Sequence, residues 1–404
     1  MHHVIGIDVS KSTSQVAVAV DQEIVETYKI EHNVFGFNRL KTSIQQFNEF
    51  PDIVFEATGI YSRRLKHFLD SHHYSYRFLN PSAAKKELDQ LRPNKNDPND
   101  AKNLALTQFI LDRPKSYVQN PIYIELQDMS LFYQQLTHDI VTIKNRLHRV
   151  LQLTFPEIEE LFSTTDSQQF LEILQAFPHA SYAQHELQSL EDTIQSCCSR
   201  HIRQIRLERI TKRLVSLASQ AAPAVTMHSH TVYQVRYYSS QLVALMQEKD
   251  AVLNEMINQS RGLPEFEIYM SIPGLSDKTV VSLIAELGDI TRFQTSNKLN
   301  AFIGIDLRFN DSGQYHSSGF ITKRGNHIAR KVLFKAIGNK ASTATYGHPN
   351  HINDWYQKKK QSSDGRGTKK IAIGAMSRLI RTLHYLVLHN QLYDYEIASR
   401  NSTI

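Results

Sequence analysis

Four acidic residues stand where carboxylates could do chemistry: Asp8 in VIGIDVSK, Glu56 in DIVFEATGIY, and Asp97 with Asp100 in NDPNDAKNLA. Asp8 and Glu56 each close an apolar, strand-like run, whereas Asp97 and Asp100 open a stretch of helical character. An i, i+3 spacing puts the last two on one side of a helix. Carboxylate oxygens are hard ligands suited to Mg²⁺ or Mn²⁺. Two such ions about 3.5–4 Å apart stabilise both the attacking and the leaving oxygen of an in-line displacement at phosphorus. The set therefore points to metal-dependent strand chemistry on DNA or RNA. Singly, each residue has a plainer reading: Asp8 in a strand-end turn, Glu56 as a surface charge, Asp97 as an N-cap and Asp100 as a first-turn acid. Their order and placement together favour the metal site.

The elements that must carry them are readable from hydrophobic periodicity. Strands are expected over His3 to Val9, Ser14 to Val20 and Glu23 to Ile30, with turns at Lys11-Ser12 and Asp21-Gln22. A helix follows from about Phe35 to Phe47, then a strand over Asp52 to Glu56. Another helix spans Ile60 to Ser71, and a strand covers Tyr76 to Asn80, closed by Pro81. With the acidic helix added, the order β-β-β-α-β-α-β-α is the ribonuclease H-like arrangement. On such a sheet Asp8 is expected at the middle of the first strand and Glu56 at the end of the adjacent parallel strand, their side chains on one face.

From Ile122 the pattern turns helical: Leu126, Met129, Phe132, Leu136, Ile140, Ile143, Leu147 and Leu151 recur at three- and four-residue steps. A second long helical stretch is expected over about Tyr182 to Leu217, with Leu187, Leu190, Ile194, Ile202, Ile205 and Ile210, and a third over Val232 to Ile257. These serve either as a coiled-coil arm for self-association or as a bundle packed on its own chain. The last third, from near Glu265, is mainly helical, with a polar stretch from Thr345 to Lys370 and a final helix from about Ile371 to His389. The expected organisation is an α/β domain over residues 1–120, a helical arm over 121–262 and a C-terminal domain over 263–404.

Composition sets the class. The 404 residues are enough for two or three domains, and 41% hydrophobic with 21% charged residues is ordinary for a globular protein. A formal net charge of +6 is compatible with a phosphate-rich partner. The two cysteines are the adjacent Cys197 and Cys198, so no disulfide framework is expected and a reducing cytoplasm is the natural setting. No apolar run approaches the roughly 20 residues of a membrane span, so no membrane association is expected. Met1 leads into a strand with neither n-region nor h-region, and no signal peptide is expected.

The blocks GIDVSK, EATGIY and KNDPNDAKNLA resemble the three acidic blocks of the IS110/IS1111-type transposases. IPGLSDKTVVSLIAELGD, the AFIGID…DSG segment and ITKRGNHIAR resemble that family's C-terminal blocks, so the resemblance spans nearly the whole chain. It implies a RuvC-like catalytic domain in which Asp8, Glu56, Asp97 and Asp100 form the D-E-D-D metal site. It also implies a recombinase that moves or inverts a DNA segment, guided by an element-encoded bridge RNA, with a serine in the C-terminal domain. The serine at the matching distance upstream of Gly319-Phe320-Ile321-Thr322-Lys323-Arg324-Gly325-Asn326 is Ser312, ahead of Ser317 and Ser318. Gly313 would allow a tight turn beside it. Without the resemblance, Asp311-Ser312-Gly313 reads simply as a turn. Where the family carries a proline after its G-[LI] pair, this chain has Asp306-Leu307 after Gly304-Ile305.

Three basic or glycine-rich features are candidates for nucleic-acid contact. Lys323, Arg324 and Arg330 flank the serine loop. Ile272-Pro273-Gly274-Leu275 followed by Lys278-Thr279 resembles a helix-hairpin-helix turn, in which Gly274, Lys278 and Thr279 would receive a phosphate. Lys358, Lys359, Lys360, Arg366, Lys369 and Lys370 surround Trp355 and Tyr356, as a mobile contact with an aromatic platform or as a solvated charge run. DNA, a bridge RNA and a second copy of the chain, as a dimer or tetramer, are the implied partners. Two rival readings stay open: a RuvC-like endonuclease using water, and a non-catalytic nucleic-acid scaffold.

Overall fold

The computed structural model describes residues 1–79, 97–308, 311–312, 315–316, 320–345, 348–364 and 366–401. The chain divides into two compact units, Met1–Val118 and Gln119–Ile404.

The first unit is built on a five-stranded sheet in the order β3-β2-β1-β4-β5. Its strands are β1 (His3–Val9), β2 (Thr13–Val20), β3 (Glu23–Glu31), β4 (Asp52–Glu56) and β5 (Tyr76–Leu79). β1, β2 and β3 form an antiparallel meander, and β4 and β5 join parallel to β1. These boundaries lie within a residue of those expected; Asn80 and Pro81 lie outside the described residues. Helices cover both faces, so the central strands read as near-continuous apolar runs. One face packs Ile5, Ile7, Ile53 and Phe55 against Leu40 and Ile44 of α1 (Val34–Gln45) and Leu65 and Leu69 of α2 (Ser62–Ser71). Asn33 caps α1, its side chain accepting from the Gly36 amide. The opposite face packs Val4, Ala19 and Val54 against Leu104 and Ala105 of α3 (Asp97–Leu111).

The second unit is almost wholly helical. Its longest helices, α4 (Pro121–Thr154) and α8 (His230–Ser260), pack side by side. They run antiparallel: Tyr123 and Leu126 share a hydrophobic cluster with Met256, while Ile140 to Leu151 share another with Val235 and Leu242. Asn120 caps α4, its side chain accepting from the Ile122 amide, with Pro121 in the first turn. The chain between them adds α5 (Gln168–Ala176), α6 (Leu187–Cys197) and α7 (Gln204–Gln220), which bury Leu171, Ile194 and Leu214 in the same cluster as Val235.

Here the structure departs from expectation. The stretch expected to run unbroken over 182–217 is interrupted, because α6 ends at Cys197 and α7 starts at Gln204. Cys198 is extended, Ile202 is buried between the helices, and Ile205, counted in the stripe, is 77% exposed. The true stripe of α7 is Leu207, Ile210, Leu214 and Leu217, at steps of three and four that Ile205 does not fit.

Beyond α8 lie α9 (Pro264–Met270), α10 (Asp277–Leu287), α11 (Ser296–Ile303), α12 (His327–Thr345), α13 (His351–Ser362), α14 (Thr368–Leu388) and α15 (Tyr395–Asn401). Two two-stranded ladders precede α12: β6 (Leu307–Arg308) pairs with β9 (Phe320–Ile321), and β7 (Asp311–Ser312) with β8 (Tyr315–His316). The polar stretch from Thr345 to Lys370 is not a mobile segment over its middle, which is α13. Asn350 caps that helix by accepting from the Ile352 and Asn353 amides. Trp355 lies against Gly374 of α14, and the Arg378 guanidinium sits 4.8 Å over its ring, so the indole packs within the fold instead of forming an open platform. By length and composition α14 is apolar enough to cross a membrane, although no single run suggested it. Its Ala375, Met376, Leu379, Ile380 and Leu383 are buried in the core of the second unit, as in the central helix of a globular domain.

Candidate active site

In the first unit, strand register brings Asp8 and Glu56 to the same end of the sheet. Val4 pairs with Asp52, Gly6 with Val54 and Ile7 with Phe55, so the next step brings Asp8 beside Glu56. Strand alternation puts Asp8 on the face of Val4 and Gly6, and Glu56 on the face of Val54. Asp8 is the next-to-last residue of β1, not its middle; its backbone is held by pairing with Gln15 and by the Ser10 amide donating to the Thr13 carbonyl at 2.9 Å. The strand ladder also continues past Glu56, where the Ala57 amide donates to the Leu79 carbonyl at 2.9 Å.

Helix α3 crosses this same face in the opposite direction. Phe109 meets the His2 ring at 4.9 Å and Gln108 donates to Asp52 at 3.4 Å, both at the start of the strands. Further back along the helix, Ala101 and Ala105 lie on Gly6 so closely that a Cβ there would collide with the Ala101 carbonyl oxygen. From His2 to Gly6 an extended chain climbs about 13 Å. From Phe109 back to Ala101 a helix climbs about 12 Å, so strand and helix keep pace. Two more strand residues reach Asp8, which corresponds to roughly four more residues of helix and hence to its first turn, where Asp97 and Asp100 stand. Asp8, Glu56 and Asp100 are all half-buried. The side chain of Asp97 lies outside the described residues, among which no three His, Cys, Asp or Glu side chains are gathered closely enough to hold a cation.

In the second unit, Ser312 is in β7, registered opposite Tyr315. Its side chain, Gly313, Ser317, Ser318 and Gly319 lie outside the described residues. What precedes and follows is tightly tied. The Thr322 amide donates to the Asp306 carbonyl at 3.1 Å and the Lys323 amide to the Gly304 carbonyl at 3.1 Å. The Thr322 hydroxyl donates to the Asp306 carboxylate at 2.6 Å, which is the part played here by the residue that departs from the family pattern. Gly304, at φ +78°, ends α11 in the left-handed region, and any Cβ there would strike the Arg324 carbonyl. Gly325, at φ +125°, meets the Phe302 carbonyl in the same way. The glycines of FIGID and KRGN thus let two backbone segments touch.

The anchor of this loop was not singled out from sequence. Asn326 caps α12 by accepting from the Ile328 and Ala329 amides, and its amide group donates to the Glu286 carboxylate at 2.6 Å. Glu286 is buried and also accepts from Ser130 of α4 at 2.6 Å. The only sequence signal was the polar Asn in a glycine turn before a helix and a Glu inside the apolar run of α10.

The candidate phosphate contacts separate into two kinds. Lys323, in the left-handed region at φ +54°, and Arg324 are exposed. Arg330 is half-buried and donates to the Ile303 carbonyl at 2.5 Å, so it fastens the end of α11. Between α9 and α10, Gly274 turns at φ +87° and Ser276 precedes the helix, its hydroxyl 3.2 Å from that of Thr279. Lys278 is exposed, with its ammonium 5.1 Å over the Tyr133 ring. Gly274, Lys278 and Thr279 therefore gather at one helix N-terminus.

Residues 5–156 match a family model for the DEDD transposases of IS110, and residues 267–352 match one described as the IS116/IS110/IS902 transposase family. The pilin gene-inverting proteins of Moraxella bovis and Moraxella lacunata are each 22% identical over 97% of this chain and 98% of their own length. The transposase for insertion sequence element IS1111A of Coxiella burnetii is 32% identical over 24% of this chain and 31% of its own.

Proposed function

The chain belongs to the IS110 family of transposases, and on that premise we propose that it recombines DNA with carboxylates of its first unit and a serine of its second. It is a DNA transposase, and its partner is DNA. What supports the reading above all is that α3, seated on Gly6 through Ala101 and Ala105, runs back along β1 in the direction in which Asp8 follows on the strand. We read the first unit as an RNase H-like, RuvC-like domain, and the second as a coiled-coil arm over 121–262 followed by a C-terminal domain over 263–404.

The donor set of Asp8, Glu56, Asp97 and Asp100 is all oxygen, and so fits hard divalent cations, Mg²⁺ or Mn²⁺. When bound, such ions supply electrostatic stabilisation of the charge that develops at a scissile phosphate. Ser312 is the proposed nucleophile. Its oxygen bonds to phosphorus as one ester oxygen departs, and the resulting phosphoserine conserves the bond energy for rejoining. Lys323 and Arg324, both exposed, hold the backbone, as do Gly274, Lys278 and Thr279 at the α10 N-terminus. An element-encoded bridge RNA selects the sites, and a dimer or tetramer brings two DNAs together. With acid residues and serine in different units, the site can be completed across protomers. If so, mixing Asp8→Ala with Ser312→Ala protein restores activity, whereas complete inactivity of every mixture excludes that arrangement.

The reading is tested by recombination between donor and target plasmids in cells that supply the element's flanking noncoding DNA. Wild type recombines, and Asp97→Asn and Ser312→Ala both fail. A scaffold keeps its function in Glu56→Gln. Normal recombination by Ser312→Ala would move Ser317, Ser318 or a water mechanism ahead.

A further inference from the structure

Residues 200–213, RHIRQIRLERITKR, carry six Arg or Lys against a single Glu, which is five of the six net positive charges of the whole chain. They form the approach to α7 and most of that helix, and they fall outside both stretches that match the family models. We propose that this face of α7 is a second DNA-binding surface, which holds the phosphate backbone of duplex DNA through residues other than those that exchange strands.

A charge run on a helix is usually a solvated face with both signs mixed. This one differs in three respects. Its position is fixed, because Leu207, Ile210, Leu214 and Leu217 bury the opposite side of the helix in the core. Arg200, Arg203, Arg206, Arg209, Lys212 and Arg213 are all exposed. Among the described residues, none of the six forms an ion pair. The carboxylates Glu191 and Glu208 on this surface instead accept from the Gln204 amide, at 3.1 and 3.4 Å.

Two of the guanidiniums are oriented by neutral acceptors. Arg206 donates to the Gln169 side chain at 2.8 Å, and Arg213 donates twice to the Glu160 carbonyl, at 2.9 and 2.6 Å. They are thus ordered without losing charge, as a phosphate-binding arginine requires. From Arg203 to Arg213 the helix spans about 15 Å, the rise of roughly four base pairs along one strand. Ile205 is the single large apolar side chain exposed in this segment, too little for the apolar centre of a protein interface. No Phe, Tyr or Trp lies within the segment, and His201 is its single ring, too few for the row of stacking platforms that an unpaired strand uses, which favours a duplex.

The proposal rests on the chain acting on DNA but on neither the carboxylates nor Ser312, so it is tested by binding alone. Full-length protein is titrated with random-sequence duplex DNA in EDTA across a salt series. The variant is Arg203→Gln with Arg209→Gln and Lys212→Gln, which removes no side-chain hydrogen bond and leaves Arg206 and Arg213 in place. Each lost phosphate contact lowers the salt slope by about 0.9, so the triple variant is expected to flatten it by about 2–3. A control with the same charge removed elsewhere, Lys29→Gln with Lys115→Gln and Lys249→Gln, is expected to keep the wild-type slope. Equal flattening by both would reduce the effect to net charge and overturn the surface. An unchanged slope in the α7 variant, or weakening confined to a hairpin RNA tested in parallel, overturns it too. If the triple variant melts early, Arg209→Gln with Lys212→Gln reads the same slope with a change of about 2.

Discussion

The two halves of the proposed site are held in opposite ways. Asp8 and Glu56 sit at the ends of central strands in a sheet covered on both faces, and α3 lies against that sheet at van der Waals distance through Gly6. Ser312 is in a two-residue strand of a small ladder, in a segment joined to the helical body through Asp306, Gly304 and Asn326. Carboxylates that share cations need a spacing set by a rigid frame. The proposed nucleophile needs a firm base, which the ties at Gly304 and Asn326 supply on either side of its segment. The lesson is that positional precision is built at Gly6 in one unit and at Gly304 and Asn326 in the other.

This contrast can be broken most severely at the carboxylates. Asp8→Asn or Asp100→Asn is expected to reduce recombination on the order of 10³-fold or more while the melting temperature holds or rises, measured by plasmid recombination and thermal unfolding. A comparable melting loss would make these residues structural. Next comes Gly6→Val, whose side chain must push α3 off the strand; a loss of about 3 kcal/mol and of most activity is expected. Gly262→Ala, with nothing within 4 Å of the new Cβ, should change neither and serves as its control.

In the second unit, Asn326→Ala removes a helix cap and leaves the buried Glu286 with one fewer donor. A cost of about 2 kcal/mol in urea unfolding is expected. Recombination should fall further than that loss of folded protein explains, because the Thr322–Asn326 segment loses its anchor.

The smallest effect sharpens the comparison through pH. Burial pushes the Glu265 carboxyl above its ordinary value of 4.5, with Tyr123 donating to it at 2.7 Å and acting in the other direction. A carboxyl whose folded value is raised contributes stability below the ordinary value, and that contribution fades as pH rises through the raised one. The melting temperature of the wild type should therefore fall, relative to Glu265→Gln, as pH increases above about 4.5. Parallel profiles would show that Glu265 is not linked to folding.

Much of the first unit was legible in the sequence, since alternating Val and Ile bounded by polar turns mark β1 to β5 within a residue. The acidic residues were visible as well. The path of α3 back across the sheet was not, because it depends on the small pair Ala101 and Ala105 lying against Gly6. The break after Cys197 escaped notice because Ile205 continued an apparent stripe that the structure exposes to solvent. Residues 351–362 looked like a solvated basic run, since a short helix that buries mainly its first turn leaves little periodicity to read. Ser312 was reachable only through family resemblance, because Asp-Ser-Gly carries the chemistry of any turn.

The central claim is that a serine of the second unit attacks DNA held at the carboxylates of the first. Its most direct test is incubation of purified protein and the proposed bridge RNA with end-labelled target DNA and Mg²⁺, followed by denaturing electrophoresis. Wild type is expected to form a protein–DNA adduct that survives denaturation and releases a phosphoserine peptide at position 312, and neither Ser312→Ala nor Asp97→Asn should form it. Strand cleavage without any adduct, or an adduct that persists in Ser312→Ala, would contradict the account.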